Sequence, residues 1–99
     1  MGELTEREIG NRYFVYERYK RGALLIGKGC INITCGEFDY WGVKCRGYKT
    51  KSAATKLLKK DPDSYKDCLE VKVVGYSLTE FVDDNGISQK YRVKQIYGA

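Results

Sequence analysis

The chain has 99 residues, 42% of them hydrophobic and 31% charged, which is the size and balance of one small globular domain. No hydrophobic run approaches the roughly 20 residues of a transmembrane helix, and residues 1–10 lack the basic and hydrophobic regions of a signal peptide, so we expect a cytoplasmic protein with no membrane partner. The net charge of +5 and the nine tyrosines favour a partner that is a polyanion or that offers flat rings for stacking.

The N-terminal part of the chain is predicted to begin with a short non-strand segment that a β-strand follows. Residues 1–10 are predicted to form a short helical turn or a flexible arm, because Thr5 and Glu8 have the spacing of a capping box and Gly10 can end it. Residues 12–22 are rich in β-forming side chains and predict a strand. The alternate positions that share one face of this strand are Arg12, Phe14, Tyr16, Arg18 and Lys20.

Two further strands are predicted before the middle of the chain. Residues 23–36 read as one strand that bends at Gly27 and Gly29, as strands do in a sheet that curls on itself. Residues 38–49 follow as a third strand and complete a β-meander.

The second half predicts a helix and a hairpin. Residues 52–60 have apolar positions on one helical face, Thr50 or Ser52 can cap the start, and Asp61–Pro62 ends it. Alternation over 68–78 predicts a strand, and the sequence DDNG predicts a turn into a last strand over 87–97.

The element order predicts the fold class. A single domain over 1–99 with the order β-β-β-α-β-β is mainly β with one helix, and this order matches a small five-stranded OB-like (oligonucleotide-binding) barrel. An SH3-like barrel and an open α+β sheet are the alternatives.

The region from residue 40 to residue 60 is strongly basic. It contains seven Lys or Arg residues and no acid, and since the whole chain carries +5, the rest carries a net −2. In a regular strand the two-residue period also places aromatic and basic side chains together on one face, an arrangement that suits base stacking beside phosphate contacts. The residues on that face are Phe38, Tyr40, Lys44, Arg46 and Tyr48.

These residues predict a non-enzymatic protein that binds single-stranded nucleic acid, DNA in particular, with little sequence preference. The rings expected to stack on bases are Phe38, Tyr40 and Tyr48. The cations expected to contact phosphates are Lys44, Arg46, Lys49 and Lys51, and the first strand extends the surface through Tyr16, Arg18 and Lys20.

The end of the chain resembles a known family. The sequence VVGYSLTEFVDDNGISQKYRV is similar to the closing hairpin of bacterial single-stranded DNA-binding proteins, and the matching residues are Val74, Gly75, Leu78, Asp83, Asn85, Gly86 and Tyr91. The resemblance implies an OB fold and a single-stranded DNA ligand. The acidic tail of that family is absent, since the chain ends QIYGA, so the resemblance implies a reduced binding domain of the kind carried by phages or mobile elements.

A protein-interaction module is the alternative function. Tyr and Arg are enriched at protein-binding hot spots, so the same surface suits a phage-encoded inhibitor or accessory subunit that binds an acidic host protein. If residues 12–21 form an edge strand, they could also pair between subunits of a homo-oligomer.

Catalysis, cofactors and metals are not expected. The chain has no His, no Gly-rich phosphate loop and no nucleophile elbow, so we expect no enzymatic activity and no cofactor. The cysteines at 30, 35, 45 and 68 include no C-x-x-C pair, so we expect buried thiols in preference to a zinc site.

Overall fold

In the computed structural model of this protein, the described residues form one antiparallel β-sheet with one α-helix packed on it. The structure describes residues 3–34, 37–40 and 46–98, and for 32–34 and 37–40 it describes the backbone. The strands are β1 (Thr5–Tyr19), β2 (Gly22–Ile26), β3 (Cys30–Thr34), β4 (Glu37–Tyr40), β5 (Glu70–Val82) and β6 (Ser88–Tyr97), and the helix is α1 (Lys51–Lys60), followed by a short 3-10 turn at Pro62–Tyr65.

The sheet has six strands in the order β4-β3-β2-β1-β5-β6. The long strand β1 lies at its centre and pairs with β5 from Thr5↔Val82 to Arg18↔Glu70, with a bulge between Glu8 and Gly10. No ladder joins β4 to β6 within the described residues, so the sheet is not closed into a barrel. The prediction of a mainly β fold with one helix is confirmed. The predicted closure into a small barrel is not, because the described strands form an open sheet.

The prediction for the first ten residues is wrong from Thr5 onward. Residues 5–10 belong to β1, because their backbone groups pair with residues 78–82 of β5 and this ladder outweighs the local capping-box pattern. The proposal that residues 12–21 form an edge strand is also wrong, since β1 is hydrogen-bonded to β2 on one side and to β5 on the other. Val15–Arg18 are therefore paired on both sides within the sheet.

The predicted bent strand over 23–36 is a hairpin. Its two arms are β2 and β3, which pair from Ala23↔Ile33 to Ile26↔Cys30. Gly27 N donates to Gly29 O at 3.0 Å, and Lys28 has a φ of 61°, so the chain reverses here instead of bending. The predicted third strand is described as β4 (Glu37–Tyr40) at its start and as non-strand backbone at residues 46 and 47, and its middle, residues 41–45, lies outside the described residues.

The main core lies on one face of the sheet. Its buried residues are Phe14, Leu25, Ile31, Val74, Tyr76 and Leu78, with Ile9, Tyr16 and Val93 packed against them. The opposite face of β1 and β5 is covered by α1, where Ala54 and Val15 are fully buried. No helix in the described ranges has the length and hydrophobicity needed to cross a membrane.

The predictions for the helix and the second hairpin are confirmed. Thr50 is the N-cap of α1, and its side-chain Oγ1 accepts a hydrogen bond from Ala53 N at 3.2 Å. In the β5–β6 turn, Asp83 Oδ1 accepts hydrogen bonds from the backbone amides of Asn85 and Ile87 at 2.9 and 3.0 Å. Local side-chain to backbone bonds therefore fix the start of α1 and the turn between β5 and β6.

Candidate nucleic-acid interface

Residues 46–50 form a short segment, called here the bridging segment, that lies beside the middle of β1, beyond the end of β2. Tyr13 N donates to Tyr48 O at 2.7 Å, and Tyr48 N donates to Tyr13 O at 2.8 Å. Gly47 N donates to Gly27 O at 3.2 Å, which ties the segment to the β2–β3 turn as well. Three backbone hydrogen bonds therefore hold it against two other parts of the chain.

Gly47 allows this close approach. Its φ is +71°, a left-handed conformation that residues with a Cβ adopt at a cost, and an added Cβ would lie 2.7 Å from Cζ of Phe14. Gly27 is similarly close, since a Cβ there would lie 2.8 Å from Gly47 Cα. The bridging segment therefore rests directly on the buried Phe14 ring with no room for a side chain between them.

Three tyrosines, Tyr13, Tyr48 and Tyr97, form what we call the tyrosine cluster. The rings of Tyr13 and Tyr97 meet edge to face, with centroids 6.4 Å apart and planes 67° apart. Gly75 lies under Tyr13, where a Cβ would come within 2.8 Å of the ring. Tyr48 joins the cluster through its paired backbone with Tyr13.

Lysines stand over two of these rings. Lys51 Nζ lies 4.3 Å from the centroid of Tyr97, and Lys28 Nζ lies 5.8 Å from that of Tyr48. Both distances are within the range of cation–π attraction. The surface therefore alternates aromatic faces with ammonium groups, and Tyr97 remains 43% exposed.

A cleft of about 360 Å³ adjoins the cluster, and we call it the basic cleft. Its lining residues are Arg12, Lys28, Arg46, Gly47 and Lys49. The lining includes four cations and no acid. Within the described part of the chain, no carboxylate forms an ion pair with Arg12, Lys28 or Lys49.

The buried carboxylate of Glu80 holds the guanidinium group of Arg46. Glu80 is fully buried on β5, and its Oε1 accepts hydrogen bonds from Arg7 Nε at 2.6 Å and from Arg46 Nη2 at 3.1 Å. The two guanidinium groups are each about half exposed. One carboxylate thus orients two arginines, and the trio keeps a net positive charge.

The other end of β1 holds a group of hydrogen-bonded acids and weak acids. The hydrogen bond with Cys68 raises the pKa of Tyr19, and burial together with the nearby Glu17 raises it further. Burial raises the pKa of the Cys30 thiol, also with a contribution from Glu17. The described cysteines, Cys30 and Cys68, are free thiols, and no cluster of potential metal ligands is found in the ranges that the structure covers.

The structure brings together part of the predicted site. Arg46, Tyr48, Lys49 and Lys51 all lie at the basic cleft or the tyrosine cluster. Phe38 and Tyr40 are described as backbone on β4, paired in register with Ile33 and Ile31, and Lys44 lies outside the described residues.

The first-strand residues of the prediction lie elsewhere. Tyr16 packs against the core, with Lys72 Nζ 5.6 Å from its ring centroid. Arg18 and Lys20 lie at the far end of β1, and at about 3.3 Å a residue the first of them is roughly 20 Å from Arg12.

Sequence reasoning missed Tyr13, Tyr97 and Lys28 as members of the site. Lys28 carried a readable signal, because a lysine between two glycines predicts a tight turn that presents its side chain. Tyr13 and Tyr97 carried no such signal, because their rings come into contact only when β1 and β6 both flank β5.

No protein-family model, curated protein or solved structure matches the chain. The residues and their geometry are therefore the basis for assigning a function.

Proposed function

We propose that this protein binds single-stranded nucleic acid, DNA in particular, without catalysing a reaction. The bases stack on the tyrosine cluster, and the phosphates contact the flanking lysines and the basic cleft. The observation that carries the proposal is the placement of Lys51 over Tyr97 and of Lys28 over Tyr48, beside a cleft lined by four cations.

The chemistry favours a single strand over a duplex. Stacking of a base on an aromatic side chain contributes about 1–3 kcal/mol, and unpaired bases present their faces whereas a duplex keeps them stacked inside. Tyr97 is half exposed and is supported edge-on by Tyr13, so its ring is both accessible and held in place. Binding by ring faces also implies slight sequence preference, because every base has a stacking face.

The arrangement of the sheet supports an OB-like interpretation of the fold. OB folds are partly open five-stranded Greek-key barrels that bind oligonucleotides on a sheet face and on the neighbouring loops. Here a helix precedes the closing hairpin, and β1 is long, central and bulged. The closing hairpin is also the part whose sequence resembles bacterial single-stranded DNA-binding proteins, a likeness that agrees with this ligand class.

Fluorescence anisotropy tests the proposal. A labelled dT oligonucleotide and a duplex of matched length are titrated with the protein at two salt concentrations. We expect tighter binding of the single strand and an affinity that falls as salt rises, because lysines and arginines displace counterions from phosphates. Absence of binding to single strands at low salt would overturn the proposal.

Tyr97 and Ile96 provide a matched pair of variants. Both side chains are 43% exposed and are neighbours on β6, so we expect truncation of either one to have a similar effect on the stability of the fold. We expect Tyr97→Ala to weaken binding by about 1–3 kcal/mol and Ile96→Ala to leave it unchanged. Equal effects from the two variants would remove the stacking role of the tyrosine cluster.

A further inference from the structure

The basic cleft carries more positive charge than one internal phosphate of a nucleic-acid strand requires. Arg12, Lys28 and Lys49 face it without a carboxylate partner among the described residues, and Arg46 shares Glu80 with a second arginine. An internal phosphodiester carries one negative charge, whereas a phosphomonoester carries about −1.5 to −2 at pH 7 and has three free oxygens. The charge of the cleft therefore suits a dianion better than a monoanion.

We propose that the basic cleft is a binding site for the terminal phosphate of a nucleic-acid strand. This inference rests on the proposed function and specifies which part of the ligand the cleft receives. The cations come from three separate parts of the chain, namely Arg12 on β1, Lys28 in the β2–β3 turn and the bridging segment. Because cations from three parts of the chain line one cavity, the cleft fits an end group more closely than a continuous backbone.

The cleft is large enough and its most constrained cation is pre-oriented. Its volume of about 360 Å³ exceeds many times the roughly 30 Å³ of one water molecule, so it has room for a phosphate group. Glu80 fixes the guanidinium of Arg46 before any ligand arrives, which reduces the entropy lost on binding. A planar guanidinium is also the side chain that matches phosphate oxygens in pairs.

The basic cleft and the tyrosine cluster are adjacent and share residues of the bridging segment. Tyr48 lies between the cleft residues Gly47 and Lys49, and Lys28 both lines the cleft and stands over the Tyr48 ring. A strand end whose phosphate occupies the cleft therefore places its first base beside the cluster. The two sites then act on one ligand, with the phosphate setting the register of the stacked bases.

The test compares three oligonucleotides of one sequence, each with an internal fluorophore, that carry a 5′-phosphate, a 3′-phosphate or hydroxyl groups at both ends. We expect one of the phosphorylated ligands to bind about tenfold more tightly than the hydroxyl-ended ligand at pH 7.5. Equal affinity for all three would overturn the inference and leave the proposed function standing. Failure of all three to bind would overturn both.

Acidity gives a second readout. The second pKa of a phosphomonoester is about 6, so at pH 5 the end group carries about one charge and the preference is expected to shrink. The groups that face the phosphate are lysines and arginines, with Glu80 beneath them, and the hydroxyl-ended ligand corrects for any change in the protein itself. A preference that is the same at both pH values would contradict recognition of a dianion.

Variants connect the preference to the cleft. We expect Lys49→Gln to abolish the difference between phosphorylated and hydroxyl-ended ligands. Lys66→Gln removes another exposed lysine, near the opposite end of β1, and is expected to keep the difference. If both variants keep it, the phosphate is bound elsewhere and the inference is wrong.

Discussion

The substitution Gly47→Ala tests whether the bridging segment owes its position to contact with the core. Gly47 has a φ of +71°, and a Cβ there would lie 2.7–3.0 Å from three atoms of the Phe14 ring. Gly86 in the β5–β6 turn is the matched control, because its φ is +77° but no atom lies within 4 Å of its added Cβ. The two alanine variants therefore share the backbone strain and differ in the steric clash.

The magnitudes separate the two effects. A left-handed conformation costs a residue with a Cβ about 1–2 kcal/mol, so Gly86→Ala is expected to lower the free energy of unfolding by that amount. Forcing an extra carbon into a packed core adds about 1–3 kcal/mol, and Phe14 is fully buried and cannot move aside freely. Gly47→Ala is therefore expected to cost about 2–5 kcal/mol, a large part of the stability of a small domain.

Urea denaturation followed by circular dichroism measures both free energies of unfolding, and thermal unfolding gives an independent comparison. For a domain of this size, 1 kcal/mol corresponds to about 4–8 °C in the melting temperature, so Gly47→Ala should melt at least about 4 °C below Gly86→Ala. Equal losses in the two variants would refute the reasoning, because the contact with Phe14 would then contribute nothing.

Three further predictions follow from described contacts. Glu80→Gln keeps an acceptor oxygen but loses the charge shared by two half-exposed arginines. We therefore expect urea denaturation to show a free energy of unfolding lower by about 1–3 kcal/mol. A decrease below about 0.5 kcal/mol would contradict the structural role of Glu80. Burial raises the pKa of Tyr76 above 10.0, so its contribution to stability is complete below pH 10 and is lost as the pH rises through the folded-state pKa. Unfolding measured between pH 8 and 11 should then show a shallower alkaline decline in Tyr76→Phe, and an unchanged slope would argue against this assignment. A Cβ at Gly75 would lie 2.8 Å from the Tyr13 ring, so Gly75→Ala is expected to move that ring away from Tyr97. We expect this variant to bind oligonucleotides about fivefold more weakly. Unaltered affinity would show that the edge-to-face contact between the two rings is dispensable.

The C-terminal half of the fold could be predicted because its signals are local. Thr50 caps α1 through a bond to an amide three residues away, and Asp83 closes its turn through bonds to amides two and four residues away. These interactions involve neighbours in sequence, so a short stretch of residues contains the whole argument.

The N-terminal errors arose where distant pairing decides the structure. The capping-box pattern at Thr5 and Glu8 is genuine, but both residues pair with β5, and a ladder that long outweighs one local motif. At Gly27 and Gly29 the sequence shows a break in the strand without showing whether the chain bends or reverses. The reversal depends on Ala23 meeting Ile33 across the hairpin.

The candidate site divides in the same way. The density of basic residues between 40 and 60 was sufficient to select Arg46, Lys49 and Lys51. Tyr97 could not be selected, since its role depends on the Tyr13 ring brought to it by β1 across β5. Composition thus predicts the cations of the surface, and topology determines which rings accompany them.

The central position of β1 also has a consequence for the order of folding. Thr5 pairs with Val82, 77 positions along the chain, so β1 can pair with β5 only after the intervening segments have been brought together, whereas its pairing with β2 is local. Contacts of such wide separation are slow to form, because the entropy of closing the intervening loop is lost before the pairing compensates for it. The β2–β3 hairpin, α1 and the β5–β6 hairpin are local and can form early. We therefore expect the docking of β1 against β5 to limit the folding rate of this small protein.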